Sequence, residues 1–410
     1  MRTSLQEFEF EGISTEPYGT NRPGWNGRKF LHIGIHNSLN KNAGDTVLFP
    51  AVRDLFDFAL GPCGWEFRQI WAPFQADEIT RLNESDLDAI VIGGGGLLLR
   101  GQEGADSTAS GWQWNCSVDT LKKIQKPIIV FAVGYNRFRG QEEFDPVFTD
   151  HLNALTARSP FVGLRNSGSI REVSSYLRDS SLKKRLKLQS CPTTLAWQIY
   201  PQARAKAEAQ DAKNSRVLAF NCAFDRTNCR FGAGERQILS DLARALKAIA
   251  ADGWKLIVVS HKKIDRQIEP YLDEQGVSYA AVDLTNASAA AVLDVYAEVD
   301  LAIGLRGHAQ LIPFGLRRPI LTVISHEKMK YFLEDLGHPE WGVDVEEPGF
   351  AEALIEKVRQ FGLGQRAETR RHVDQAQARL WEQTLNNFKL IEPALRKPPA
   401  AISTRIPYDH

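Results

Sequence analysis

Asp300-Leu301-Ala302-Ile303-Gly304-Leu305-Arg306-Gly307-His308-Ala309 runs from a short apolar stretch into an arginine and then into residues of helical pattern. A run this short and this apolar reads as a strand buried on both faces, with a helix starting at its polar end. The arrangement occurs earlier as Phe161-Val162-Gly163-Leu164-Arg165-Asn166-Ser167. Outward from these two segments, apolar runs alternate with helical segments from Lys29 onward, the pattern of parallel strands joined by crossover helices. The fold class is α/β. Strands are expected over residues 30–36, 89–92, 128–133 and 161–164 in the first half, and over 216–220, 255–260, 301–305 and 319–323 in the second. Helices such as 235–251 lie between them.

The charged, alanine-rich segment 198–214, with Pro201, has no strand character and separates the halves. The expected organisation is a polar N-terminal arm (1–28), a first Rossmann-like domain (29–197), a linker (198–214), a second Rossmann-like domain (215–345) and a helical C-terminal extension (346–410). Two doubly wound domains then face a cleft. A chain of 410 residues with 43% hydrophobic content exceeds what one core usually organises.

Lys plus Arg and Asp plus Glu both number 50, so no long-range field draws the protein to nucleic acid or anionic lipid. Any anion site is local. The five cysteines are scattered and form no CxxC pair, which argues against a zinc site and against a secreted disulfide framework. The nine histidines are dispersed, no HExxH occurs, and no metal site is expected. The arm lacks an apolar signal-peptide core, and no stretch approaches the roughly 20 apolar residues of a membrane span. A cytoplasmic protein with at most peripheral contact at the inner membrane face is the expectation.

Open parallel sheets bind ligands at the carboxyl ends of their strands, so the residues there are the candidates. Asn37 to Thr46 follows the first strand and feeds a helix, where free N–H groups suit an anion or a sugar and where Asp45 could equally be a simple cap. Four glycines, Gly93 to Gly96, would let a substrate approach the backbone closely, with Gly94 and Gly95 at the centre. They do not form the GxGxxG of dinucleotide binding. Trp112 and Trp114 have the flat faces that sugars use, and core packing explains them as well. Arg165 could fork onto a carboxylate or phosphate, or join a surface ion pair. Arg306 and His308 can converge on one ligand, and Lys328 could add a charge for phosphate or be an ordinary helix lysine.

In this order the N-x-GD loop (Asn42 to Asp45), the glycine run, the Arg165-Asn166-Ser167 segment, the Arg306-x-His308 segment and Lys328 resemble the polysaccharide pyruvyltransferase family, from Ile33 to about Gly337. The resemblance implies a fold similar to GT-B glycosyltransferases. It also implies transfer of a pyruvyl group from phosphoenolpyruvate, as a ketal, onto a hydroxyl pair of a sugar in bacterial capsules, exopolysaccharides or related glycans. Carried over position by position, Arg165 and Arg306 are the anion-binding arginines, His308 the active-site histidine and Asp45 the loop acid. The sequence departs from the family pattern at Cys191-Pro192-Thr193-Thr194, where a Pro-Asp dipeptide is usual, and its first loop is longer.

Phosphoenolpyruvate carries a carboxylate and a phosphate, which two arginines and a helix N-terminus can hold without metal or other cofactor. Its C3 must gain a proton while a sugar oxygen attacks C2; His308 is the expected acid and Asp45 the expected base. The acceptor is a free, nucleotide-linked or lipid-linked sugar, with Asn42, Trp112, Trp114, Asp225, Arg226 and Arg230 as its candidate contacts. The competing readings are a nucleotide-sugar-dependent GT-B glycosyltransferase, using Arg306 and Lys328 on a diphosphate, and a noncatalytic sugar-binding protein.

Overall fold

The computed structural model describes residues 27–35, 42–213, 215–362 and 366–395. The arm to residue 26, loop residues 36–41, Asn214 at the end of the expected linker and the last fifteen positions of the extension, 396–410, lie outside the described residues.

Sheet A comprises β1 (Lys29–Gly34), β2 (Gly64–Gln69), β3 (Ala89–Leu98), β4 (Ile128–Tyr135), β5 (Phe161–Leu164) and β6 (Leu186–Leu188), in the order β2-β1-β3-β4-β5-β6. Sheet B comprises β7 (Val217–Asn221), β8 (Lys255–Ser260), β9 (Ala280–Asp283), β10 (Leu301–Gly304), β11 (Ile320–Ile324) and β12 (Gly342–Asp344), in the order β12-β11-β10-β7-β8-β9. Every pairing is parallel. Both sheets are doubly wound, and the order of strands reverses beside β1 in sheet A and beside β7 in sheet B. The sequence reading finds eight of these strands; β2, β6, β9 and β12, the outermost strand at each edge, are additions to it.

The helices that carry the argument are numbered α1 to α8. Helix α1 (Ala43–Leu60) buries Val47, Leu48, Ala51, Val52, Leu55 and Phe56, a stripe at helical spacing, against sheet A. Helix α2 (Ser167–Tyr176) follows β5. The expected linker is not a plain connection: α3 (Pro201–Ala212) starts on a proline at its first turn, buries Ala203 and Ala207, and sets Lys206 Nζ 2.6 Å from buried Asp294. Sheet B is covered in turn by α4 (Glu235–Ala251), by α5 (Ala289–Ala297), which carries that aspartate, by α6 (Gly307–Gly315) and by α7 (Glu327–Leu336).

Helix α8 (Arg366–Ala394) buries Val373, Ala376, Gln377, Leu380, Thr384, Asn387, Phe388 and Ile391 along one face, and this stripe lies across both halves. Its Gln377 Nε2 donates to the carbonyls of Thr194 (3.1 Å), Phe314 (3.3 Å) and Gly315 (2.8 Å), and Asn387 Nδ2 donates to Leu188 O at 2.8 Å. Phe388 meets Phe56 edge to face at 5.0 Å in the first domain. Its early turns hold the second domain, where Arg366 pairs with fully buried Asp300. No helix among the described residues is long and apolar enough to cross a membrane.

Candidate active site

The carboxyl ends of the two sheets face one another. Between them the amide of Ala43 at the start of α1 donates to His261 O, just past β8, at 3.1 Å. Asn42 is the cap of α1: its Oδ1 accepts from Gly44 N at 3.2 Å, and its Nδ2 donates to Asp45 Oδ2 at 2.9 Å. The sequence reading offered Asp45 as the possible cap and Asn42 as an acceptor contact; the structure gives the capping to Asn42, which in turn holds the buried Asp45 carboxylate. Gly44 has a steric reason to be glycine, because a Cβ there would stand 2.3 Å from His308 Nδ1.

The glycine run serves packing rather than a ligand. A Cβ on Gly94 would lie 2.8 Å from Leu48 of α1, and Gly95 has φ +101° with Leu48 at 3.2 Å, so these two positions let the helix close on the sheet. Gly96 makes room for Asn136, whose Nδ2 would meet a Cβ at 2.8 Å and donates to Gly96 O at 3.3 Å.

Four basic side chains converge here and divide into two sets. Arg306 is balanced: its Nε donates to Asp265 Oδ2 at 2.7 Å, Nη2 binds the other oxygen of Asp265, and Nη1 lies 2.6 Å from Asp225. Burial opposes its charge, but the two carboxylates raise its pKa above the ordinary guanidinium value. Arg230 shares Asp225 at 3.3 Å and donates to Ser325 Oγ at 3.0 Å. Burial likewise works against the Asp225 carboxylate, and Arg306 and Arg230 override it, holding its pKa well below the usual carboxylate range. Two arginines and two aspartates thus cancel. Arg306 is not the open anion fork the sequence suggested, and Asp225 is committed to arginines rather than free for an acceptor.

Arg165 and Lys328 form the other set. Arg165 is only 8% exposed, and its guanidinium makes no ion pair or hydrogen bond with the described residues. Burial lowers its pKa, with Cys191 and Asp45 acting the other way. Lys328 Nζ donates to the amide oxygen of Asn136 at 2.7 Å and meets no carboxylate among the described residues. Burial, then Arg165 and Arg230, push its pKa well below that of an ordinary lysine. Charges confined this way lack the compensation that buried ions require. An anionic ligand is the natural counter-charge.

His308 stands among these groups, with Nε2 3.9 Å from Sγ of Cys191, the first residue of the Cys191-Pro192-Thr193-Thr194 segment. Burial, followed by Arg165, His261, Lys328 and Arg306, depresses its pKa well below 6.5. The expectation of an imidazole that titrates near neutrality is corrected: burial and the surrounding cations favour the neutral form of His308. His326 and Asn136 are site residues the sequence reading passed over. His326 Nδ1 accepts from Lys328 N at 3.4 Å, so its Nε2 carries the proton and donates to Asn136 Oδ1 at 3.1 Å. One amide oxygen from the first domain thereby accepts from two donors of the second, Lys328 Nζ and the neutral His326 imidazole.

Trp112 and Trp114 do not belong here. They are 1% and 0% exposed in the core of the first domain, packed edge to face on each other at 5.9 Å and around His151, and offer no face to a sugar. Arg226 reaches across the cleft, its guanidinium 5.1 Å from the Phe138 ring and its Nη2 3.4 Å from the carbonyls of Arg100 and Gly101.

Comparison with known proteins adds two findings. The sequence profile of the family described as polysaccharide pyruvyl transferase matches residues 12–327. Among solved structures, HepE from Anabaena in complex with UDP and glucose is similar at 13% identity and TM-score 0.54, over 90% of this chain and 99% of that one. The same protein with UDP alone gives 12%, 0.52 and the same coverage. The wall teichoic acid polymerase TagF gives 12% and 0.47, over 90% of each chain. At such identities the likeness is one of fold, which is GT-B-like. No curated protein matches the chain by sequence.

Proposed function

The chain belongs to the polysaccharide pyruvyl transferase family, and from that premise we propose that it moves the pyruvyl group of phosphoenolpyruvate onto a pair of sugar hydroxyls as a ketal. The observation that carries this reading is the pair of confined cations without counter-charge, Arg165 and Lys328, beside the N-terminal turn of α6. A donor with one carboxylate and one phosphate supplies the missing negative charge at the place where the free N–H groups of a helix start are also available. The balanced Arg306–Asp265–Asp225–Arg230 group acts as the rigid wall that sets these residues in place.

The chemistry asks for one proton delivered to C3 and for two sugar hydroxyls that each give up a proton as their oxygens bond to C2. A sugar oxygen attacks C2 while C3 is protonated, giving a phosphorylated hemiketal; phosphate leaves with its bridging oxygen, and the second hydroxyl closes on C2. His308 is neutral before the donor arrives. Burial is the first cause and the field of Arg165 and Lys328 the next; donor anions cancel that field, and the imidazole, now beside negative charge, takes up the proton it delivers to C3. Asp45, held by Asn42, receives the hydroxyl proton.

Isotopic labelling tests the reading. In heavy water the product methyl should carry solvent deuterium, and label in the bridging oxygen of the donor should appear in released phosphate. A methyl without deuterium, or label kept in the sugar product, would refute pyruvyl transfer. Thermal stabilisation by a nucleotide sugar but not by phosphoenolpyruvate would assign the site to glycosyl transfer instead.

A further inference from the structure

Lys328 and Arg306 face the same cleft and are held in opposite ways. Arg306 is gripped by the carboxylates of Asp265 and Asp225, which cancel its charge. Lys328 Nζ is held by one neutral group, the amide oxygen of Asn136, at 2.7 Å. A carboxylate neutralises the cation it binds, whereas an amide accepts the hydrogen bond and leaves the charge in force.

The amide is fixed from its own side of the cleft. Asn136 follows β4, is 8% exposed, and donates its backbone N–H to Leu98 O at 2.9 Å. Its Nδ2 donates to Gly96 O at 3.3 Å, in the room left by the missing side chain of that glycine. An ammonium only donates and a carbonyl only accepts, so the amide has one orientation, with nitrogen toward β3 and oxygen toward the second domain. Both lone pairs of that oxygen are used, by Lys328 and by His326 Nε2 at 3.1 Å. Three residues further along the same loop, Arg139 Nε donates to Glu327 Oε1 at 2.8 Å, and its two Nη atoms reach Asp344 at 3.0 and 2.6 Å. The loop is thereby clasped to β12 and to the residue that precedes Lys328.

On the other side of the lysine, a Cβ on Gly307 would stand 4.0 Å from Lys328 Cε, which sets the side chain beside the first turn of α6. The charged and titratable groups around it are Arg165 beyond β5, Arg230 and Asp225 beyond β7, Arg306 and His308 at the start of α6, and His326 on its own turn. Cations outnumber carboxylates among them. We propose that Asn136 is a positioning residue, a neutral tether that holds the Lys328 ammonium in place across the cleft while leaving its charge for the donor anion. The role toward the donor rests on the reading of the protein as a phosphoenolpyruvate-dependent transferase; the tether itself does not.

Asn136→Asp keeps the shape and adds a counter-charge, and Asn136→Ala removes the acceptor. Ionisation of Lys328 is read without donor, by NMR titration of lysine labelled with carbon-13 at Cε, its signal identified by its loss in Lys328→Arg. Phosphoenolpyruvate affinity is read by calorimetry from neutral to alkaline pH. Lys328 should titrate higher in Asn136→Asp than in the wild type, and lower in Asn136→Ala. Donor affinity at neutral pH should fall at least about ten-fold in the Asp variant, and in the Ala variant it should be lost at a lower pH than in the wild type. A purely structural asparagine would lower the melting temperature of both variants and leave the Lys328 titration where it was. If Asn136→Asp fails to fold, the Ala variant alone decides. A Lys328 titration that no folded variant moves, or a folded Asp variant that binds phosphoenolpyruvate like the wild type, overturns the proposal. Titrations that move as stated in a protein whose wild type ignores phosphoenolpyruvate would retain the tether and refute the donor reading.

Discussion

Replacing Arg165 by methionine should raise the stability of the donor-free protein and lower its donor affinity. Arg165 is 8% exposed, packs tightly over Gly134, where a Cβ would meet its Nε at 2.1 Å, and pairs with no carboxylate among the described residues. The folded state therefore bears a desolvation cost with no partner to repay it. Methionine fills similar volume without charge, so a gain of about 1 to 2 kcal/mol and a rise of a few degrees in melting temperature are expected. Donor binding, in contrast, loses one or two charge-assisted bonds of about 1.5 to 3 kcal/mol each, which weakens phosphoenolpyruvate at least about ten-fold and up to roughly twenty-thousand-fold. Arg306→Met supplies the contrast. It strands the carboxylate of Asp265, 1% exposed, and leaves Asp225 with Arg230 alone, and should destabilise the fold by about 3 to 5 kcal/mol. Melting curves and titration calorimetry on both variants read these signs directly. If Arg165→Met melts lower, as Arg306→Met does, and binds phosphoenolpyruvate like the wild type, the claim of an unpaired cation awaiting a ligand is wrong.

His151 and His261, both fully buried, are held by burial at about 3, so they stay neutral in the fold while the unfolded chain protonates them near 6.5. Stability should be full above pH 6.5 and fall as pH drops below it, by roughly 1 kcal/mol per histidine at about pH 5.5, seen as a declining melting temperature. A flat profile from pH 7 to 5 would contradict their burial as neutral groups. Because donor anions let His308 charge, calorimetry in two buffers of different ionisation enthalpy should detect proton uptake on phosphoenolpyruvate binding, with affinity tightening from pH 8 toward 6.5; no buffer dependence would remove the coupling. Gly44→Ala should displace His308 and cut turnover by at least about ten-fold while changing donor affinity little, since Arg165 and Lys328 stay in place, and normal turnover would refute that contact.

What could be read from the residues follows the physics of a parallel sheet. Strands such as β3, β4 and β10 are covered on both faces, and Ile90, Val91 and Ile92 or Leu301, Ala302 and Ile303 accordingly appear as unbroken apolar runs. Edge strands lack that signature: β2 is Gly-Trp-Glu-Phe-Arg-Gln with its middle exposed, and β6, β9 and β12 are three or four residues long. The same strand-end rule that singled out Arg165 and Arg306 would have found Asn136 and His326, had β4 been followed to Tyr135 and β11 to Ile324. Pairing was beyond its reach. Nothing local to Arg306 tells that Asp265, forty-one positions away, cancels it, or that Arg165 has no such partner. Trp112 and Trp114 misled for a related reason, because the faces that suit a sugar also suit a core.

Helix α8 has a consequence for how the molecule is made. The carbonyls of Thr194, Phe314 and Gly315 and the Gln189 amide find their side-chain partners in Gln377, Thr384 and Asn387, which are synthesised after every strand of both sheets. A ribosome at residue 360 has already delivered both sheets, yet Phe56 and Phe131 still lack the ring of Phe388. Domain-by-domain folding of the first 360 residues therefore stops one step short, and the arrival of α8 is the event that fastens the halves together. A premature stop anywhere before about residue 390 would thus resemble an early one in its effect, leaving apolar surface for chaperones and proteases to find.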